Sequence, residues 1–220
     1  MEQGLLNVFK YSNNKHPTII EYRNKRQLLQ TIVNDIFYKE VDTHYNENMK
    51  AFEKQMYKLF TNNSRGVNFI TLNDEQFLIK LFIYNFSYSG VSSAINYKNK
   101  CRYKIQEKID MLDAVCNNTI GLFQIISFDN EKTKFIRIKN IDTNEEFNIV
   151  DEGLLYSCLA NKDKNKILLL RLIQLKDYAI TDGFVELKDV EQFIKICKNK
   201  KIKTDIDMLL IAKKYAKDFL

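Results

Sequence analysis

From Gly121 to Leu187 the chain carries the apolar runs GLFQIISFD, TKFIRIKNI, EFNIV and KILLLRLIQL, joined by polar turns and flanked on both sides by helical periodicity. Leu122 to Phe128 is almost continuously apolar, the pattern of a strand covered on both faces. Asp129 to Lys132 reads as a polar hairpin turn. Beyond it Ile136 and Ile138 alternate with Arg137 and Lys139, so one face of that strand is wet. Asp142 to Glu145 turns the chain again, into Phe147, Ile149 and Val150. After Asp151 to Gly153 the segment LLYSCLA suits a short helix or a strand. Ile167 to Leu175 reads as a buried strand with Arg171 at its middle, where a cation needs an ion-pair partner or a wet face. Lys176-Asp177 and Thr181 to Gly183 bracket a short strand at Tyr178 to Ile180. Five or so short antiparallel strands in this span predict a small curled barrel or strongly bent sheet.

The flanking sequence is helical. His16-Pro17 reads as an extended or turning step. From about Asn24 to Phe60, Leu28, Leu29, Ile32, Ile36 and Phe37 form an apolar stripe, with a candidate interruption at Asp42-Thr43. Tyr45, Met49, Phe52, Met56 and Leu59 then follow alternating steps of four and three. That spacing fits a helix buried in its own bundle, and alternatively a homodimer seam along 45–60. Thr61 to Gly66 breaks the pattern, and Asn73 with Gln76 forms a candidate capping box. Phe77, Leu78, Leu81, Phe82 and Phe86 supply the next apolar face. The aromatics Phe82, Tyr84, Phe86 and Tyr88 at this spacing fill a core rather than stack on bases. A third helix is expected over Ser93–Cys116, with Ile95, Ile105, Ile109, Leu112, Val115 and Cys116 inward and Lys98, Lys100, Arg102, Lys104 and Lys108 outward. In the tail, Val190, Phe193, Ile194 and Cys197 mark a helical stripe before the basic run KNKKIK and a second capping pair, Thr204 and Asp207. The expected fold is therefore α+β: a mainly helical region at 1–118, a small antiparallel β-barrel-like module at 119–187 and a short basic helical tail at 188–220.

Charge separates these regions. The chain of 220 residues has a net charge of +6, yet residues 119–187 hold 9 basic and 11 acidic side chains, a balance of −2. Residues 188–220 hold 9 and 5, a balance of +4. A phosphate-binding barrel would present a basic face of its own, so a nucleic-acid surface is expected on the helices instead, at Lys98, Lys100, Arg102 and Lys104 and at Lys198, Lys200, Lys201 and Lys203. Neither GxxxxGK[ST] nor GxGxxG occurs, so these phosphate-cradling loops are missing. Cys101, Cys116, Cys158 and Cys197 include no CxxC pair, and His16 and His44 are the two histidines, so no metal, cofactor or catalytic triad is expected. The sharpest enzymatic alternative is a Mg²⁺-dependent nuclease with Glu186, an upstream Asp177 or Asp182, and Lys188 beside the phosphate. No signal peptide is expected in MEQGLLNVFKY, which lacks a basic region followed by an apolar core, and no apolar run approaches the roughly 20 residues of a membrane helix. A reducing cytoplasm is expected, with no membrane association.

Gly121, Leu122, Phe123 and Ile125, then Thr143, Glu145, Phe147 and Ile149, then Leu168, Leu169, Arg171, Leu172 and Ile173 match a G-L-F-x-V, T-x-E-x-F-x-V and L-L-x-R-L-apolar series. In that series the chain resembles uncharacterised bacterial proteins in which a helical region leads into a small β-module. Some of those proteins carry a SEC-C type Cys/His zinc motif, and this chain has no such cluster. The resemblance implies no activity. The expected function is that of a non-enzymatic interaction or accessory protein with a protein partner.

Overall fold

The computed structural model describes residues 16–60, 72–161, 166–187, 189–199, 207–208 and 211. They divide into two units, one drawn from residues 1–28 and 119–187, the other from 29–118 and 188–220.

The first unit is the strand-rich one. Its strands are β1 (Thr119–Phe128), β2 (Ile136–Asn140), β3 (Glu146–Val150), β4 (Ile167–Gln174) and β5 (Ala179–Glu186). They close into a barrel in the order β1-β2-β3-β5-β4. Strand β1 is long enough to serve two neighbours: Thr119 to Gln124 pairs with β4, Phe123 to Phe128 with β2, and a bulge between Ile125 and Ser127 bends it. The expected antiparallel barrel is found, with one difference. The β3–β5 seam is parallel, and its register is short, Ile149 opposite Ala179 and Val150 opposite Ile180. LLYSCLA resolves as helix, within Glu152–Asn161, and this helix sits between β3 and β4. That order, with one helix between the third and fourth strands, is the topology of an OB-fold barrel.

Inside the barrel, Phe123, Ile125, Ile136, Ile138, Ile149, Leu168, Leu170, Leu172 and Ala179 pack with Leu154, Leu155 and Cys158 of the helix. Each Phe, Ile and Leu among them contributes roughly 1.5–3 kcal/mol through burial. The other face of β4 is also closed, since Leu169, Arg171 and Ile173 are buried. Strand β5 runs through Thr181-Asp182-Gly183, which the sequence assigns to a turn. Here the chain bulges: Leu170 faces Phe184 while Leu172 faces Thr181, and Gly183 takes φ +105°. The polar pair stays in the strand because its side chains find partners, described below.

Gly121 is the close-approach point of β1. A Cβ there would lie 3.0 Å from Asn140 Nδ2 and 3.2 Å from a ring carbon of Phe123. Asn140 cannot swing away freely, because its Oδ1 accepts from the backbone N–H groups of Asp142 and Thr143 and so holds the β2–β3 turn. Gly121→Ala is expected to lower unfolding free energy by about 1–3 kcal/mol. Chemical denaturation checks this, and an unchanged midpoint would contradict the packing just described.

The helix α1 (Pro17–Ile36) begins seven residues earlier than the apolar stripe indicates. Proline is well placed at a first helical position, where its missing N–H is not needed, and His16 O accepts from Ile19 and Ile20. Residues 17–28 belong to the barrel unit, where Ile19 and Tyr22 are buried, and the rest of α1 to the helical unit.

In the helical unit α1 runs into a π-helical turn, Phe37–Val41, closed by Asp42 N–H donating to Phe37 O at 2.8 Å. The interruption expected at Asp42-Thr43 falls there. Next come α2 (Tyr45–Phe60), α3 (Leu72–Tyr84), α4 (Ser93–Lys100) and α5 (Gln106–Cys116), and after the barrel α7 (Val190–Asn199), α6 being the barrel helix Glu152–Asn161. Tyr45 and Phe52 of α2 meet Phe82 edge-on, with ring centroids 6.4 and 6.2 Å apart. Phe82 and Tyr84 are buried, whereas Tyr88 is 44% exposed. The side chains of Asn73 and Gln76 lie outside the described residues, as does Thr204.

The single helix expected over Ser93–Cys116 is two helices joined by Cys101 to Ile105. Cys101 and Ile105 both have extended dihedral angles, and Ile105, expected inward, is 59% exposed. The break is held by one tertiary partner and by local bonds. Tyr103 turns in to donate to Asp35, and Arg102 caps the carbonyls of Asn99 and Cys101.

Candidate functional site

Polar groups concentrate where β3 and β5 run parallel. Asp151 precedes α6, and its Oδ1 accepts from Leu154 N–H at 2.8 Å, the position of a helix N-cap. Its Oδ2 accepts from the Thr181 hydroxyl. Glu152, in the first turn of α6, meets Arg23 of α1 through two parallel bonds, Nε to Oε2 at 3.0 Å and Nη2 to Oε1 at 2.6 Å. Arg26, one helical turn on, donates to Thr181 O at 2.6 Å and lies 3.6 Å from Asp182. Tyr178 donates to Glu21 at 3.2 Å. Burial, then the charge of Asp151, pushes the Tyr22 phenol above its ordinary range; burial, then Glu21, does the same for Tyr178. Both stay protonated at neutral pH. Each carboxylate named here thus faces a donor from α1, α6, β5 or the loop before β5, and the arrangement is a clamp for residues 17–28 against the barrel.

A second polar face of the barrel has Arg137, Glu146 and Asn148 exposed and Gln124, Ser127 and Lys139 half-buried. There the outward residues of β1, β2 and β3 come into register as Ser127–Arg137–Asn148 and Gln124–Lys139–Glu146. Arg137 pairs with Glu146 at 2.7 Å, both about half exposed. The loop joining β1 to β2 is built on Asp129, whose carboxylate accepts from the N–H groups of Glu131, Lys132 and Thr133; these bonds hold its pKa down at about 2. The loop joining β4 to β5 meets it through Phe135 and Tyr178, with ring centroids 6.1 Å apart. In barrels of this topology the face of strands 2 and 3, framed by these two loops, takes the ligand. None of its six outward residues is aromatic, so it offers no stacking platform.

A second cluster lies in the helical unit. Tyr97 donates to Tyr103 at 3.1 Å, and Tyr103 to Asp35 at 2.5 Å. Both phenols are raised, Tyr103 by burial and then by its bond to Asp35, Tyr97 by burial first. Lys39 sits over the Tyr97 ring at 5.5 Å and Lys108 over the Tyr103 ring at 5.3 Å. Lys100 grips Glu40, itself 4% exposed within the π-helical turn, at 2.9 and 3.0 Å.

Of the expected nucleic-acid residues, Lys98 pairs with Asp113 at 2.9 Å, Lys100 with Glu40, and Arg102 with two carbonyls, while Lys104 is exposed. Lys198 is exposed on α7, and Lys200, Lys201 and Lys203 lie outside the described residues. The side chain of Glu186 and residue Lys188 are also outside them, while Asp182 faces Arg26 and Asp177 is exposed. The four cysteines are free. Burial pushes the Cys116 thiol up to about 11, so it is not a nucleophile near neutral pH. Among the described residues no group of three or more His, Cys, Asp or Glu is arranged to hold a metal, and no helix is long and apolar enough to cross a membrane.

Asp35, Glu40, Tyr97 and Tyr103 are not singled out by sequence reasoning, nor is the clamp of Arg23, Arg26, Asp151 and Thr181. One signal for the break between α4 and α5 lies in the sequence: Arg102 and Lys104 are two residues apart, the period of extended chain, although Lys98 and Lys100 at the same spacing belong to α4.

No curated protein and no solved structure matches this chain. A family model matches over residues 17–205, a span that takes in α1, the barrel and α7, and the chain therefore belongs to that family, a family of unknown function (DUF7986).

Proposed function

We propose that this is a non-enzymatic interaction protein that docks a protein partner on the open β1–β2–β3 face of its barrel. The observation that carries the reading is the asymmetry of the barrel. Strand β4 is buried on both faces and the β3–β5 seam is spent on clamping α1, while Arg137, Glu146 and Asn148 are exposed, with Gln124, Ser127 and Lys139 half-buried beside them, on the outward face of β1–β2–β3. Charges of both signs at fixed spacing suit a folded protein surface, on which complementary charges set register. A single-stranded nucleic acid would be served by aromatic side chains and one sign of charge.

The test places a photo-crosslinking amino acid at Asn148 in the full chain, in native cells, with exposed Glu53 of α2 as the control position. A discrete protein adduct is expected from position 148, and Arg137→Glu should abolish it without lowering the melting temperature. Adducts from Glu53 alone, or none from Asn148, would refute the reading.

A further inference from the structure

The segment Cys101 to Ile105 is a basic ladder held out from the helical unit. Cys101 and Ile105 are extended at its two ends, and burial alternates along it: Cys101 and Tyr103 half-buried, Arg102 and Lys104 exposed. Two residues of extended chain separate like-facing side chains by about 7 Å, a step comparable with that between successive phosphates of one nucleic-acid strand. The ladder is pinned from beneath by Tyr103, through its bond to Asp35 and its edge-on contact with Tyr97 at 6.1 Å. Arg102 also returns to the end of α4, where its guanidinium Nη1 donates to Asn99 O and Cys101 O and sets the direction of the cationic head. Lys39 and Lys108 flank the same two rings.

The charge count decides what such a surface takes. Lys39, Lys100, Arg102, Lys104 and Lys108 supply five cations. The acids of the same cluster are Asp35, Glu40 and, in the first turn of α5, Glu107. Five less three leaves +2; Lys100 and Glu40 are spent on each other, and Asp35 accepts from a phenol. Tyr97 is only 4% exposed, so its ring is not open for base stacking, and the contact is to backbone rather than to bases.

We infer that this ladder, with Arg102 and Lys104 at its centre and Lys39 and Lys108 at its sides, binds the phosphodiester backbone of a single nucleic-acid strand without sequence preference. The site lies in the helical unit and is independent of the protein-docking face of the barrel. An unpaired strand fits better than a duplex because the ladder is one row of cations, with no helix projecting to enter a groove.

The experiment uses the full chain and fluorescently labelled single-stranded oligonucleotides, one DNA and one RNA of mixed sequence, read by anisotropy between about 50 and 200 mM salt. Binding of either is expected, weakening as salt rises. The double variant Arg102→Gln/Lys104→Gln should lose at least tenfold in affinity, and its log–log salt slope should fall by about 1.4, two contacts at roughly 0.7 each for a single strand. Lys54→Gln, on the exposed surface of α2, should bind as the parent does. Melting temperatures of both variants should lie within about 2 °C of the parent's, since exposed bonds of this kind contribute little, which separates lost contacts from lost fold. No anisotropy change with DNA or RNA at about 50 mM salt would overturn the inference. So would equal binding by the double variant, or an equal loss on Lys54→Gln.

Discussion

Replacing Phe123 with alanine is expected to lower the unfolding free energy by about 3–5 kcal/mol. The residue has no exposed surface and sits where β1 is committed to two neighbours at once, opposite Asn140 of β2 and Leu168 of β4. Its ring meets Phe147 edge-on at 5.8 Å and 83°. With the backbone held from both sides, β1 cannot move in to fill the space left by the ring, so the cavity term adds to the lost transfer energy. For a chain of this length the melting temperature should fall by about 6–20 °C. Phe123→Leu retains most of the volume and should cost less than half as much. Urea denaturation of both variants measures this, and a loss under about 1 kcal/mol for alanine would mean that the barrel does not close around the ring.

The second large effect is expected at the seam. Asp151→Ala removes an N-cap, worth about 1 kcal/mol. It also strands the hydroxyl of Thr181, a residue only 2% exposed, at a further cost of about 1–3 kcal/mol. The total should be about 2–4 kcal/mol. Because a stranded donor costs more than a missing pair, adding Thr181→Val to Asp151→Ala should recover most of the second part and leave about the cap alone. The double-mutant cycle isolates the coupling. If the double variant is no more stable than Asp151→Ala, the hydroxyl is satisfied elsewhere and the clamp is weaker than its geometry implies.

The barrel was legible from residue order because its signal is local. Ile136 and Ile138 alternating with Arg137 and Lys139 can describe only a strand with one wet face, and the polar breaks at Asp129 and Asp142 fix where hairpins turn. What misled was the second half of the module. Thr181-Asp182-Gly183 has turn composition, yet it lies within β5, because Asp151 and Arg26, far off in sequence, satisfy the side chain of Thr181, its carbonyl and Asp182. The basic segment misled for a different reason. A single helix over Ser93–Cys116 puts Lys98, Lys100, Arg102 and Lys104 outward together, although a spacing of two places successive residues about 200° apart on a helix. The structure breaks the helix between Lys100 and Gln106, so Lys98 and Lys100 stay on α4 and only Arg102 and Lys104 alternate along extended chain.

By itself, the sequence determined the class of the molecule: helices around a small β-module, with acidic balance in the strands and basic balance in the tail, and without the short motifs of phosphate-loop or zinc chemistry. These properties follow from periodicity and composition, which act over a few neighbouring residues. Only the tertiary structure decided the parallel β3–β5 closure, the clamp of Arg23 and Arg26 on Glu152, Asp151 and Asp182, and the pinning of Tyr103 by Asp35. Each depends on partners from 30 to 155 residues apart, or on a strand order that hairpin periodicity does not encode. A buried polar side chain reads the same in sequence whether its partner exists or not, and only the fold supplies the partner.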